Sequence, residues 1–374
     1  MMFTPSAEQA ELATMVRDLL RKRSDSAAVR TAVAQPKGYD ESLWSVLCEQ
    51  VGVAALAIPE KYGGAGFTLS ETHVVLEELG AALTPSPLLG SAVLAAQAVL
   101  LSGDETTCAE LLPGIASGKS VAALVWAGPD GSWSTGSLPV TAKQQDGGWV
   151  LDGTGAFVLD GDHADVLLVL ASIDSRPALF RVDPAQHGVH RAPSPTMDQT
   201  LRLTVIDLDG AEATLVSADA DVFLPTLRDI ACSAEAAMQV GAAQRCLDMT
   251  VAYTKERRQF GRPIGSFQAL KHRMADMLVE VETARSAAWA AAQSAAQRDE
   301  DLPARAALAK AWCSEAFNTV AAETIQLHGG IAITWEHDAH LYFKRAHATA
   351  QLFGRPHEHR ARLQDLYGLL PTST

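Results

Sequence analysis

The apolar positions along this chain change their period twice. From Ser6 to Lys119 they recur at helical spacing, as in Glu8 to Arg21, where Leu12, Met15, Leu19 and Leu20 share a face, so the first third is expected to be all-helical. Breaks are expected at Gly52, at PEKYGGAG (Pro59 to Gly66) and at Pro85 to Pro87. No strand pattern precedes that glycine cluster and no Gly-Lys-Ser follows it, so it reads as a turn and not as a phosphate loop. Between about Ser120 and Ala220 short β-type runs take over: Val121 to Trp126, Trp149 to Asp152, Val166 to Leu170, Ala178 to Val182 and Leu203 to Leu208. Such runs without intervening helices predict an antiparallel barrel or sandwich. After about Asp221 the helical period returns. Ala236 to Thr254 is small and apolar, suited to close helix packing. The next helix puts Leu270, Met274, Met277, Leu278, Val281 and Ala284 on one stripe, with Asp276, Glu280 and Glu282 turned away. Pro303 opens another helix, through Leu308, Trp312, Phe317 and Val320, which ends near Leu327 ahead of Gly329 and Gly330. The expected division is a helical domain over 1–119, a β domain over 120–220 and a helical bundle over 221–374.

Composition narrows the classes. A chain of 374 residues can hold two or three domains with substantial cores. A net charge of −14 excludes a general nucleic-acid footprint, which needs a basic face. A local basic strip does exist, at Arg257, Arg258, Arg262, Lys271, His272 and Arg273, and it can serve a phosphorylated ligand or simply be a solvated helix end. Cys48, Cys108, Cys232, Cys246 and Cys313 are scattered and odd in number, so neither a disulfide framework nor a metal knuckle is expected. With no basic leader and no long apolar run, a cytoplasmic, reducing setting off the membrane is expected. DGDHAD (Asp160 to Asp165) lacks the glycine and distal glutamate of a calcium loop and reads as a turn. His337 and His340 have metal-helix spacing, but no HExxH pattern accompanies them among the histidines at His328, His347, His357 and His359, and no metal is expected.

Two segments carry the most chemistry: RRQFGRPIGSFQALKHRMADM (Arg257 to Met277) and QLHGGIAITWEHDAHLYFKRA (Gln326 to Ala346). In this order, near the C-terminus, they resemble the flavin-binding C-terminal domain of the acyl-CoA dehydrogenase family. The helical, β, helical order resembles that family's architecture over essentially the whole chain: an N-terminal helical domain, a middle antiparallel β-barrel and a C-terminal four-helix bundle. The resemblance implies an FAD-dependent α,β-desaturation of an acyl-CoA thioester, in which a carboxylate takes the α proton and the flavin accepts the β hydride. It further implies that Arg257, Gln259, Phe260, Gly261, Gln268, Gln326, Gly329 and Gly330 hold the adenine and pyrophosphate end of FAD, a portion the family supplies from a neighbouring subunit. The residue types suit that role: a fixed charge for pyrophosphate, an apolar face, directional amides, and glycines that let backbone approach closely. Ala332 departs from the third glycine that relatives commonly carry there.

Other pieces of the family pattern are missing. Where relatives carry a Thr-Glu-Pro-x-Ala-Gly-Ser-Asp type loop, this chain has WAGPDGSWSTGS (Trp126 to Ser137). Where a Trp-Ile-Thr or Ser segment packs beside the flavin ring, it has GAFVLDGDHADVLL (Gly155 to Leu168), without tryptophan or hydroxyl. The catalytic glutamate, followed by glycine in many relatives, falls at Phe353 before Gly354. Its alternative place in other relatives falls near Ala231, with Asp229 and Glu235 close by but out of register. The resemblance therefore implies the base-lacking subunit of a heteromeric, steroid-type acyl-CoA dehydrogenase, lending half a flavin site to a related partner. Two alternatives stay open: a self-sufficient homotetramer with Asp229 or Glu235 as base, and a flavin-free structural subunit.

Overall fold

The computed structural model describes residues 5–145 and 147–369. Six α-helices come first: α1 (Ala7–Arg23), α2 (Ser26–Val33), α3 (Glu41–Val46), α4 (Leu69–Ala82), α5 (Ala96–Ser102) and α6 (Glu105–Ala116). Seven strands follow: β1 (Ala122–Val125), β2 (Val140–Gln145), β3 (Gly148–Leu159), β4 (Val166–Ile173), β5 (Arg176–Val182), β6 (Val189–Pro193) and β7 (Leu203–Ser217). The rest is α7 (Ala220–Glu256), a two-strand hairpin of β8 (Arg258–Gln259) and β9 (Arg262–Pro263), then α8 (Gln268–Gln297), α9 (Leu302–His328), α10 (Ala339–Thr349) and α11 (Pro356–Leu366). The helical, β, helical order is as the sequence predicts.

Local chemistry sets the ends of these elements. Ser6 caps α1, accepting from the Gln9 amide at 3.1 Å while the Gln9 side chain accepts from the Ser6 amide at 2.9 Å. Arg21, Lys22 and Arg23 in the last turn of α1 match the negative end of its dipole. Pro303 stands in the first turn of α9, and Gly329, at φ 68°, ends that helix in a conformation that favours glycine.

The strands β4, β2, β3, β7 and β5 pair in that order, and β5 pairs back onto β4, closing the ring; β1 adds to β4 and β6 to β7. Pairing is antiparallel except at β4, which runs parallel to β1 from Ala122↔Val166 to Val125↔Val169 and meets β2 in parallel at Thr141↔Ser172. The antiparallel barrel expected from the sequence is corrected to this extent. The physical reason is that the loop over 126–139 carries the chain back before β2 starts in the direction of β1, and the β2–β3 hairpin and the turn after β3 then reverse it twice, so β4 runs parallel to both. Alternation along β2, with Val140 and Ala142 inward and Thr141 and Lys143 outward, fills the ring with Val140, Leu151, Leu167, Val169, Phe180, Ile206 and Leu208.

The described residues group into two compact units, one from Met1–Val29, His73–Thr84 and Cys232–Thr374, the other from Arg30–Thr72 and Pro85–Ala231. In the first, α4 and α7 cross so closely that a Cβ on Gly241 would stand 1.8 Å from the Glu77 carbonyl oxygen. A core of Leu83, Cys246, Met277, Val281, Phe317 and Val320 lies beside this crossing. One expectation fails here: Leu278, placed on the apolar stripe of α8, is 47% exposed; on α9, Leu308 and Trp312 are 49% and 37% exposed. The apolar stripe of these helices is wider than the face the bundle buries.

Candidate functional site

The hairpin after α7 presents the first group of predicted residues. Phe260 and Gly261 are its two turn residues, at φ 50° and 76°, as a type I′ turn requires at both positions. Phe260 is 91% exposed. Its ring lies edge-on to Phe267, with centroids 6.1 Å apart, and the Arg262 guanidinium covers the other aromatic, 4.0 Å from the Phe267 centroid. Arg257 and Gln259 are exposed, and the Gln259 amide donates to the Arg258 carbonyl at 2.8 Å. No carboxylate pairs with Arg257 or Arg258 among the described residues. Gln268 is exposed at the start of α8, 2.9 Å from His272 Nε2.

The second group lies at the C-terminal end of α9. Gln326, Gly329 and Gly330 are exposed, and neither glycine has a heavy atom within 4 Å of where a Cβ would stand. Ala332, by contrast, is fully buried. Behind this turn His328 donates from Nδ1 to the Thr324 carbonyl at 2.8 Å, and its ring stacks on Tyr253 (centroids 4.4 Å) and leans on His337 (4.5 Å). Because Tyr253 accepts the Arg257 amide at 2.8 Å, this stack ties the glycine turn to the hairpin. Burial lowers both His328 and His337 below the ordinary histidine value. The structure thus brings the predicted cofactor residues to one end of the bundle as an open, cationic, aromatic surface. His340 packs its ring against Trp335 at 4.8 Å.

The two segments expected to differ from relatives in the barrel unit meet one another. Ala156 donates to the Ala127 carbonyl at 2.8 Å, and the Phe157 ring is in van der Waals range of a Cβ placed on Gly131. Phe157 itself has φ 55°. Trp126 donates from its indole to the Ser134 carbonyl at 2.8 Å and stands edge-on to Trp133. A shallow cavity of about 570 Å³ borders this loop, lined by Asp130, Ser132, Ser134, Ser137 and Thr154. The turn that follows is a charge knot. Arg202 donates to Asp162 at 2.6 and 2.8 Å, and His163 Nδ1 is 3.1 Å from the same carboxylate. Burial works against the Asp162 charge, but His163 and Arg202 outweigh it and hold its pKa down at about 2. Asp160, buried without such bonds, is pushed up to about 7.

The positions counted for a base converge as well. Phe353 is 1% exposed at φ 56°, and its carbonyl is 2.9 Å from His359 Nε2 and 3.8 Å from Cys232 Sγ. Position 353 and the α7 position next to Ala231 therefore face each other in space, and neither carries an acid. Glu235, one turn along α7, is fully buried, with its carboxylate 2.9 Å from Lys310 Nζ. Lys310 is equally buried and donates to Ser314 Oγ at 3.1 Å and to the Thr349 carbonyl at 2.6 Å, closing the end of α10. Burial pushes Glu235 up to about 7 against the pull of Lys310. Asp229 is 1% exposed, 3.6 Å from Arg228 Nε. Sequence reasoning missed Lys310, Cys232 and His359; a lysine at an inward position of ARAALAKAWCSEAF was the available signal.

Comparison with known proteins agrees with this geometry. The family model for the acyl-CoA dehydrogenase C-terminal domain matches residues 233–364, and that for the N-terminal domain matches residues 6–119. The chain is 44% identical over 362 residues to the acyl-CoA dehydrogenase IpdE2 of Mycobacterium tuberculosis, covering 96% of this chain and 98% of that protein. Among solved structures it resembles the ChsE4–ChsE5 complex of Mycobacterium tuberculosis, with a TM-score of 0.89 and 30% identity over 100% of both chains. It also resembles a variant of the Tcur3481–Tcur3483 steroid ACAD, with a TM-score of 0.87 and 32% identity over 97% of this chain and 98% of that one.

Proposed function

The chain belongs to the acyl-CoA dehydrogenase family, and from that premise we propose that it is the non-catalytic subunit of a heteromeric enzyme, lending the adenine and pyrophosphate half of an FAD site to a related partner chain. One observation carries the reading: the described residues that suit the polar end of the cofactor are exposed together, while the positions where relatives hold a base are filled by the buried Phe353 and by Ala231 beside Cys232.

Fit to the cofactor divides along the same line. At the polar end, Arg257 supplies a charge that no carboxylate among the described residues neutralises, Gln268 and Gln326 supply amides, and Gly329 and Gly330 leave room for close approach. Phe260 offers an open aromatic face. At the ring end, Phe157 and Leu159 offer no hydroxyl, and Phe157 turns onto the 126–137 loop. When bound, FAD would supply the hydride acceptor that desaturation needs. This chain's own residues bind and orient its distal half, and Phe353 and Cys232 move no proton. Neither Asp229 nor Glu235 is open to a substrate, since both are buried beside a cation. Two of the similar structures are of paired chains, and one of them is a steroid ACAD; a bulky acyl-CoA is the substrate class this favours.

In the assembled complex, Arg257→Ala should lower the flavin retained through gel filtration at least tenfold while leaving the subunits together. Full flavin retention in that variant would instead favour a purely structural subunit.

A further inference from the structure

The residues assigned above to the cofactor come from two chain segments, and among the described residues no polar side-chain contact joins one set to the other. Gln259 bonds to the Arg258 carbonyl and Gln268 to His272, each within its own segment, while Gly329 and Gly330 stand in open space. Arg273 donates to Glu323 at 2.5 Å and holds the start of α8 to α9. The hairpin has a different anchor, in the last turns of α7 and α9. There Thr250 Oγ1 lies 3.1 Å from Thr324 Oγ1, the Thr324 carbonyl accepts His328 Nδ1 at 2.8 Å, and the His328 ring stacks on Tyr253 with centroids 4.4 Å apart and planes 27° from parallel. Tyr253 stands one helical turn beyond Thr250, so these contacts close into a circuit. The Tyr253 carbonyl accepts the Arg257 amide, and the Arg257 carbonyl accepts the Ile264 amide at 2.8 Å, which shuts the hairpin.

The stack is braced on its far side as well. His337, with its ring centroid 4.5 Å from that of His328, accepts the Ala339 amide at 3.1 Å and so fixes the start of α10. The ends of three helices therefore meet in rings whose orientations are set by hydrogen bonds as well as by packing. His328 is buried at the last position of α9, immediately before Gly329 and Gly330, and Tyr253 is half-buried one turn before Arg257. Rigid support of this kind raises ligand affinity, because binding then costs less ordering of the groups that meet the ligand. The threonine pair lies one turn deeper, and the rings alone carry its constraint out to the last turn. We infer that Tyr253 and His328 are positioning residues of the half-site: their stack holds the hairpin and the glycine turn at the separation that the polar end of FAD spans. This rests on the half-site reading proposed above.

The test uses the full chain in complex with its homologous partner, stripped of flavin and titrated with FAD by fluorescence, and with ADP as a competitor that reports the polar end alone. Tm and native mass spectrometry check fold and assembly. Tyr253→Leu should raise the Kd for FAD about tenfold and that for ADP by the same ratio, whereas Tyr253→Phe, which keeps the ring, should stay within about twofold of wild type. Val240→Ala, in the buried core about three and a half turns back along α7, should lower Tm and leave both constants unchanged. Should Tyr253→Leu fail to fold or assemble, His328→Asn carries the same expectation, since it keeps a donor for the Thr324 carbonyl and removes the ring. An unchanged Kd in the ring-deleted variant would overturn the inference, as would a Tyr253→Phe variant as weak as Tyr253→Leu, or a loss of FAD affinity without loss of ADP affinity. If Arg257→Ala leaves the Kd for both ligands at the wild-type value, the half-site reading itself falls, an outcome distinct from these.

Discussion

Phe260 stands where a two-residue turn with positive φ at both places favours asparagine, and it does so almost fully exposed. A bulky residue in that region costs on the order of 1–3 kcal/mol, and burial returns none of it here. Phe260→Asn is therefore expected to hold or raise Tm by a few degrees while lowering flavin retention in the complex; a fall in Tm would show that the ring supports the fold. Lys310 presents the opposite case. Removing it leaves Glu235 as a lone buried carboxylate, so Lys310→Ala should cost roughly 3–5 kcal/mol, and pairing Lys310→Met with Glu235→Leu should recover most of that, as urea midpoints will show. The pH dependence has a definite sign. Glu235 has an ordinary value of 4.5 and a folded value of about 7, so between these the folded state holds the extra proton and stability falls as pH rises. Asp160, at 3.8 and about 7, acts in the same direction. Tm should thus decline from about pH 4.5 to 7, and Glu235→Gln should flatten part of the slope; an unchanged slope would remove Glu235 from the account.

Among the elements, the crossing of α4 and α7 is the least tolerant of change. Gly241→Ala would drive a methyl group into the backbone of α4, at Glu77, and should destabilise by about 3 kcal/mol or more; a Tm within two degrees of wild type would mean the helices can part freely. The long helices were legible in the sequence because their period persists over many turns. The strands β2 and β6 were not, since VTAKQQ and VHRAP hold too few apolar residues to mark a period. Strand direction is not written in a run's composition, so the parallel pairing of β1 with β4 had no sequence signal. Leu278 was read onto the apolar stripe of α8 because periodicity reports which residues avoid water, and cannot tell a face buried within the chain from one open at its surface.

Across the whole molecule, the informative contrast lies between what is open and what is closed. The motif residues Arg257 to Gln268 and Gln326 to Gly330 were readable as a group, because their chemistry sits in two short segments. The closed base position was readable only as an absence at Phe353; its surroundings, Cys232 on α7 and His359 on α11, come from parts of the chain more than a hundred residues apart. On the reading proposed above, the open residues would form half of a cofactor site and a partner chain would supply the rest. The most direct measurement is flavin content and acyl-CoA oxidation for the chain purified alone and together with its homologous partner. The account predicts little flavin and no turnover from the isolated chain, with both appearing in the co-complex. Stoichiometric flavin and turnover from the isolated chain would contradict it.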